Sequence, residues 1–300
     1  MGRNLVLSLC LALLCACTTP VEELSPTEGS SLFPACGNSA ELGNGIVLLP
    51  HHLLVKDYIE AMYTSLSSQD WQHVVIVSPD HFHAGTDPIS TPPETEHGFT
   101  VHRDLVEEFF PSATLDAFML QNETSEEEVM DFVQSLQDRE DTLFIFSIDF
   151  SHYLPGGIAY VHDLRTMDIL SARDVAVARS VEVDSPVAVE VLLRLLVAKN
   201  AVLTNMKNTN PSKDIGVDTF ENTTHVFACS TQLVGAAPTR ELTVDMFFAH
   251  PRDWYLGLTA EDRYLCGIDT THFDQGGTDH AVVTNSAKGS TTEFTLDYFE

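Results

Sequence analysis

Basic residues are scarce. The 300-residue chain carries 15 Lys+Arg against 44 Asp+Glu, a formal net charge of −29 at pH 7. A surface so poor in cations repels phosphate backbones, which argues against nucleic acid as a partner. It suits a solvated acidic coat of the kind that salt adaptation favours, or a cationic partner. Also missing are a Gly-rich phosphate loop, a Gly-x-Ser-x-Gly elbow and a Cys-x-x-Cys pair downstream of the first 17 residues. Phosphate-loop chemistry, elbow-type serine hydrolysis and dithiol exchange therefore lack their motifs. The apolar run Leu5–Cys15 is too short to span a bilayer as a mature helix. A hydrophobic content of 44% is ordinary for a globular core, which excludes wholesale disorder.

That short run reads as part of an export signal. Arg3 supplies a minimal basic region, and Leu14-Cys15-Ala16-Cys17 has the form of a bacterial lipobox, with small residues before the cut and a thiol after it. The expectation is a signal peptide over 1–17, a lipidated Cys17 at the membrane and a place in the bacterial cell envelope. Residues 18–35 read as a Ser/Pro/Glu-rich tether, 36–237 as the main domain and 238–300 as a C-terminal extension. Outside the leader and Cys17, three cysteines remain, Cys36, Cys229 and Cys266. At most one disulfide can form among them within the chain.

Periodicity predicts an α/β fold. Gly45–Pro50 and His73–Ser78 read as buried strands flanking a helix over Leu53–Ser68, and 84–95 as a loop. Helices are expected over His97–Phe110, Thr124–Asp138 with a Thr124/Glu127 capping box, Leu164–Val181 and Pro186–Lys199. Asp141–Phe150 is the expected central strand, with others at Ala201–Asn205, His225–Leu233 and Leu242–Phe248; 250–300 read as a small β or irregular extension. Such alternation implies three layers, a mostly parallel or mixed sheet with helices on both faces.

Three of these strands run into histidines: His51-His52, then His81 and His83, then Asp149 followed by His152. In a parallel arrangement all three sets emerge at one edge, where ligand sites of open α/β sheets lie. Neutral imidazole is the commonest metal ligand, and Asp149 can complete or orient such a set. Glu96-His97, opening the next helix, offers a fourth group. Ser151 beside His152 makes no triad, because adjacent strand residues face opposite sides.

The order of these motifs resembles the Memo family, also called AmmeMemoRadiSam system protein B. Pro50-His51-His52 stands where that family has Pro-His-Ala, Ser78-Pro79-Asp80-His81 where it has Gly-Pro-Ser-His, and Glu96-His97-Gly98 where it has Glu-His-Ser. Asp149-Phe150-Ser151-His152-Tyr153 matches the family's Ser-Asp-Phe-Ser-His-Tyr stretch most closely, and of a Cys-Gly-x-x-Pro helix start only Pro186 survives. The resemblance spans about residues 32–235. It implies the fold of class III extradiol dioxygenases, with a divalent metal ion (iron, copper or zinc) on His51 and His81. It also implies Asp149, His152 and His97 as pocket residues for orientation or acid–base work. The family's third ligand falls near Asn208–Asp214, where this sequence has neither Cys nor Asp in the matching place; the expectation is that Asp214 or a water substitutes, or that the metal site is degraded. Three readings follow: a metal-dependent oxidoreductase or dioxygenase-like enzyme, a non-catalytic lipoprotein binding a peptide or small molecule in the same pocket, and metal sequestration at the cell surface.

Overall fold

The computed structural model describes residues 45–152, 156–210, 223–239, 273–274, 280–285 and 290–295. The leader, Cys17, the tether, Tyr153, Asp214 and the strand expected over Leu242–Phe248 lie outside them.

The first strand, β1 (Gly45–Leu49), leads through a 3-10 turn (Leu53–Val55) to α1 (Lys56–Leu66) and β2 (His73–Pro79). The two-residue β3 (Ile89–Ser90), α2 (His97–Phe109), β4 (Thr114–Leu120), α3 (Glu126–Gln137) and β5 (Thr142–Ser147) follow. Next come α4 (Gly156–Ala172), a 3-10 turn (Val175–Ser180), α5 (Pro186–Ala198), β6 (Ala201–Thr209) and β7 (His225–Gln232). These strands form one seven-stranded sheet in the order β3-β4-β2-β5-β1-β7-β6. The four inner strands β4, β2, β5 and β1 are mutually parallel, while β3, β7 and β6 run antiparallel to their neighbours. Beyond it, β8 (Phe273–Asp274), β9 (His280–Asn285) and β10 (Ser290–Thr295) form a small antiparallel sheet, in keeping with the β character expected of the extension. Among the described residues no helix is long and apolar enough to cross a membrane.

The inner strands read as unbroken apolar runs because both faces are covered. Ile46, Leu48, Val75, Val77, Phe144 and Phe146 point to one side, where α3 and α5 pack with Phe132, Leu136, Val189 and Leu193. Val47, Leu49, Val74, Ile76, Leu143 and Ile145 point to the other, where α1 and α2 pack with Ile59, Leu66, Leu105 and Val106. The period of two in each strand thus feeds two cores, giving the three-layer α/β fold.

Several boundaries differ from the sequence expectation. The capping box is Ser125/Glu128, one residue along: Ser125 Oγ accepts from Glu128 N–H and the Glu128 carboxylate takes the Ser125 N–H. The expected Thr124 instead donates its hydroxyl to the Gln121 and Pro88 carbonyls. The helix expected over Leu164–Val181 begins at Gly156 and gives way after Ala172, where Arg173 takes a positive φ of 55°. Strand β4 had no counterpart in the sequence reading. Cys229 in β7 is disulfide-bonded, with its partner outside the described residues.

Candidate metal centre

Parallel register builds the site. Leu49 lies opposite Ser147, so His51 and Asp149, each two residues further on, emerge side by side. The His51 N–H donates to Asp149 Oδ1 at 3.1 Å. Val77 of β2 pairs with Phe146, which brings His81 out at the same edge. Helix α2 starts against this edge, and Gly98 allows the approach: a Cβ there would come within 3.3 Å of Glu96, Pro79 and Ser78. Asp184, just ahead of α5, completes the ring. Its N–H donates to the Asp149 carbonyl at 3.1 Å and its Oδ2 accepts the Asp149 N–H at 3.0 Å.

Hydrogen bonds orient both histidines and fix the tautomer of His51. Ser147 Oγ donates to the Gly98 carbonyl at 2.6 Å, so its one proton is used. It can therefore only accept from His51 Nδ1, 2.9 Å away. The His51 Nε2 lone pair is left facing Asp184 Oδ2 at 3.3 Å and Asp149 Oδ2 at 3.5 Å. His81 Nδ1 meets Glu96 Oε1 at 2.7 Å, and its backbone N–H meets Glu96 Oε2 at 3.1 Å. Its Nε2 thus faces Asp184 Oδ2, at 3.6 Å. Glu96 is fully buried, caps α2 through Gly98 N–H and acts as a rigid orienter of His81. The His97 ring stacks on His81 with centroids 4.1 Å apart and meets His51 edge-on at 5.0 Å.

Two sets of donor atoms lie close enough together to hold a metal ion: His51 with His81 and His97, and His51 with Asp149 and Asp184. Charge is unbalanced within them. Burial, reinforced by the neighbouring imidazoles, holds His51 well below its usual range, so it stays neutral. Burial and then the Asp184 charge push Asp149 well above the usual carboxylate range. Burial works to lower His81, but the hydrogen bonds and charges of Asp184 and Glu96 outweigh it and raise it to about 10. Asp184 Oδ1 is buried with no hydrogen-bond partner. A buried carboxylate oxygen without a partner, beside a second carboxylate and a bare imidazole lone pair, is costly unless a cation joins them. The residues fit a divalent ion.

Of the residues expected at the site, His51, His81, His97 and Asp149 are brought together. His152 lies at the same edge, half-buried and paired through its backbone with Thr223, close enough to lower the proton affinity of His51 but outside both donor sets. Ser151 turns away to donate to Asp163 Oδ1 at 2.8 Å. His83 is exposed, with φ at 48°, and belongs to neither set. Asp214 lies outside the described residues; among those described, the further carboxylate beside His51 and Asp149 is Asp184, and Asn208 donates its amide to Asp163 Oδ2 at 2.6 Å. Asp184 was hidden as punctuation before a helix, since Asp-Ser-Pro is an ordinary way to open one. No protein-family model and no curated protein matches the chain.

Proposed function

We propose that this chain is a Memo-like metalloprotein, with His51, His81 and Asp184 as the ligands of a divalent ion. Two imidazoles and one carboxylate on one side of an ion form the arrangement used by non-haem Fe(II) oxygenases, so iron is the first candidate, ahead of copper and zinc. The observation that carries the reading is the His51 Nε2 lone pair, locked by Ser147 and aimed at two buried carboxylates. When bound, the ion would supply Lewis-acid and one-electron chemistry of the dioxygenase-like kind. The residues around it have separate tasks. Glu96 holds His81 in place, Asp149 braces the backbone of His51 and of Asp184, and half-exposed His97 and half-buried His152 handle protons at the mouth. The lipobox-like stretch around Cys17 supports a location in the cell envelope, and the Cys229 disulfide suits an oxidising compartment.

The test is metal content by elemental mass spectrometry on the full chain, purified without chelator or metal resin, beside His51→Ala, His81→Ala and Asp184→Ala. Near-stoichiometric metal, lost in all three variants, is the expected result, and oxygen consumption then separates turnover from storage. A wild type that stays empty after anaerobic Fe(II), then copper and zinc, sinks the metal reading and leaves a ligand-binding protein on this fold.

A further inference from the structure

His52 sits beside the centre but takes no part in its donor sets. Its Nδ1 accepts the Leu54 N–H at 3.2 Å, capping the 3-10 turn. A neutral imidazole carries one proton, so this bond places it on Nε2. His52 is thus held as a donor, with no Nε2 lone pair to offer an ion. Its ring leans on His225, with centroids 5.3 Å apart. His225 opens β7, where the antiparallel register with β1 (Leu48 opposite Ala228) brings it level with His51. It is fully buried; its Nδ1 bonds Thr209 Oγ1 at 3.1 Å, and its Nε2 is buried without a partner. Leaving a ring nitrogen so is unfavourable and points to a polar atom that belongs beside it.

The rim nearby is apolar. Among the described residues six large apolar side chains are exposed, and three of them border this edge: Leu53 at 67%, Leu54 at 66% and Phe82 at 60%. Leu53 and Leu54 form the turn that His52 caps, and the Phe82 ring lies 5.9 Å from His97. Exposed apolar groups gathered at the mouth of a polar site are a feature of surfaces that cover the body of a ligand.

We infer that His52 Nε2–H, backed by His225, is an oxygen-acceptor subsite beside the metal centre. The ligand it selects is a small neutral molecule whose carbonyl-type oxygen accepts from His52 and whose apolar body lies under Leu53, Leu54 and Phe82. The inference rests on the metal reading above. Neutral ligands suit it because a chain with a net charge of −29 repels anions.

The test uses the cobalt(II)-loaded full chain, with visible absorption as readout, titrated with benzamide and with acetamide, neutral molecules that share the carbonyl head and differ in the ring. Benzamide should bind about tenfold more tightly. His52→Asn, which keeps a short acceptor for the Leu54 N–H but withdraws the donor, should weaken both by about tenfold at unchanged cobalt content. His52→Gln, which carries an N–H near the Nε2 position, should recover most of the loss. His225→Leu, close in volume but without the ring nitrogens, should resemble His52→Asn. Equal affinity of wild type and His52→Asn at full cobalt loading overturns the subsite, and equal affinity for the two amides overturns the apolar body. A chain that takes up no cobalt overturns the metal reading itself.

Discussion

At the scale of single residues, the most consequential group besides the proposed ligands is Ser147. It is buried, touches no ion and offers one proton, which Gly98 takes. Ser147→Ala should leave the fold intact and free the His51 tautomer, weakening metal binding by about 10–100-fold in a chelator-competition titration. An unchanged affinity would show that His51 needs no lock. A second buried carboxylate behaves differently. Asp163 is raised to about 6, first by burial, against which the hydrogen bonds from Thr224, Ser151 and Asn208 work. Its folded pKa lies above the unfolded value of 3.8, so the folded state holds the extra proton, and stability falls as pH rises from about 4 through 6. The difference of about two units corresponds to about 3 kcal/mol lost by pH 7. Denaturant unfolding of wild type and Asp163→Asn across that range should show a slope in the first that is flattened in the second. His51, His81 and His152 were legible because each follows an apolar strand, and His97 because it opens the next helix. Asp184 was not, because its meaning depends on which strand ends the α5 loop reaches, and sequence spacing does not carry that.

At the scale of elements, local rules worked where one signal stood alone and slipped where two competed. Thr124 and Ser125 are both good N-caps, each with a glutamate three residues on. The choice fell to Ser125 because Thr124 is buried and its hydroxyl already serves the Pro88 and Gln121 carbonyls. Ser125→Ala should therefore cost about 1 kcal/mol, seen as a lower denaturation midpoint at unchanged slope. Strand β4 has a weak signal because Asp116 interrupts its apolar run and five of its seven residues are exposed or half-exposed. It is held by full pairing with β2 rather than by its own composition. Pro186, by contrast, opens α5 as expected, with Ser185 Oγ accepting the Ala188 N–H.

At the scale of the whole molecule, the sheet carries both the stability and the site. Phe146 is fully buried in the core beneath the site, one residue before Ser147. Phe146→Ala should cost about 3–5 kcal/mol and weaken metal retention as well, since β5 sets the spacing of Ser147 and Asp149. A divalent ion that binds only the folded chain should raise its melting temperature. At 100 times Kd the gain is about 2.7 kcal/mol, abolished by chelator and absent in Asp184→Ala. A melting curve indifferent to both additions would contradict a metal centre that is part of the fold.

The two ends of the sheet have a consequence for how the protein behaves in a crowd. A strand edge left straight and unpaired is a template on which another chain can grow. Here one end is the two-residue β3, too short to nucleate a growing ladder. The other, β6, is interrupted between Thr204 and Lys207, where Asn205 takes a positive φ of 54° and breaks the repeat of exposed amides. Short edges, bulges and charged edge residues are means by which sheet proteins avoid fibrillar stacking. Together with mutual repulsion between acidic surfaces, they let copies of this chain stand at high local density without fusing edge to edge.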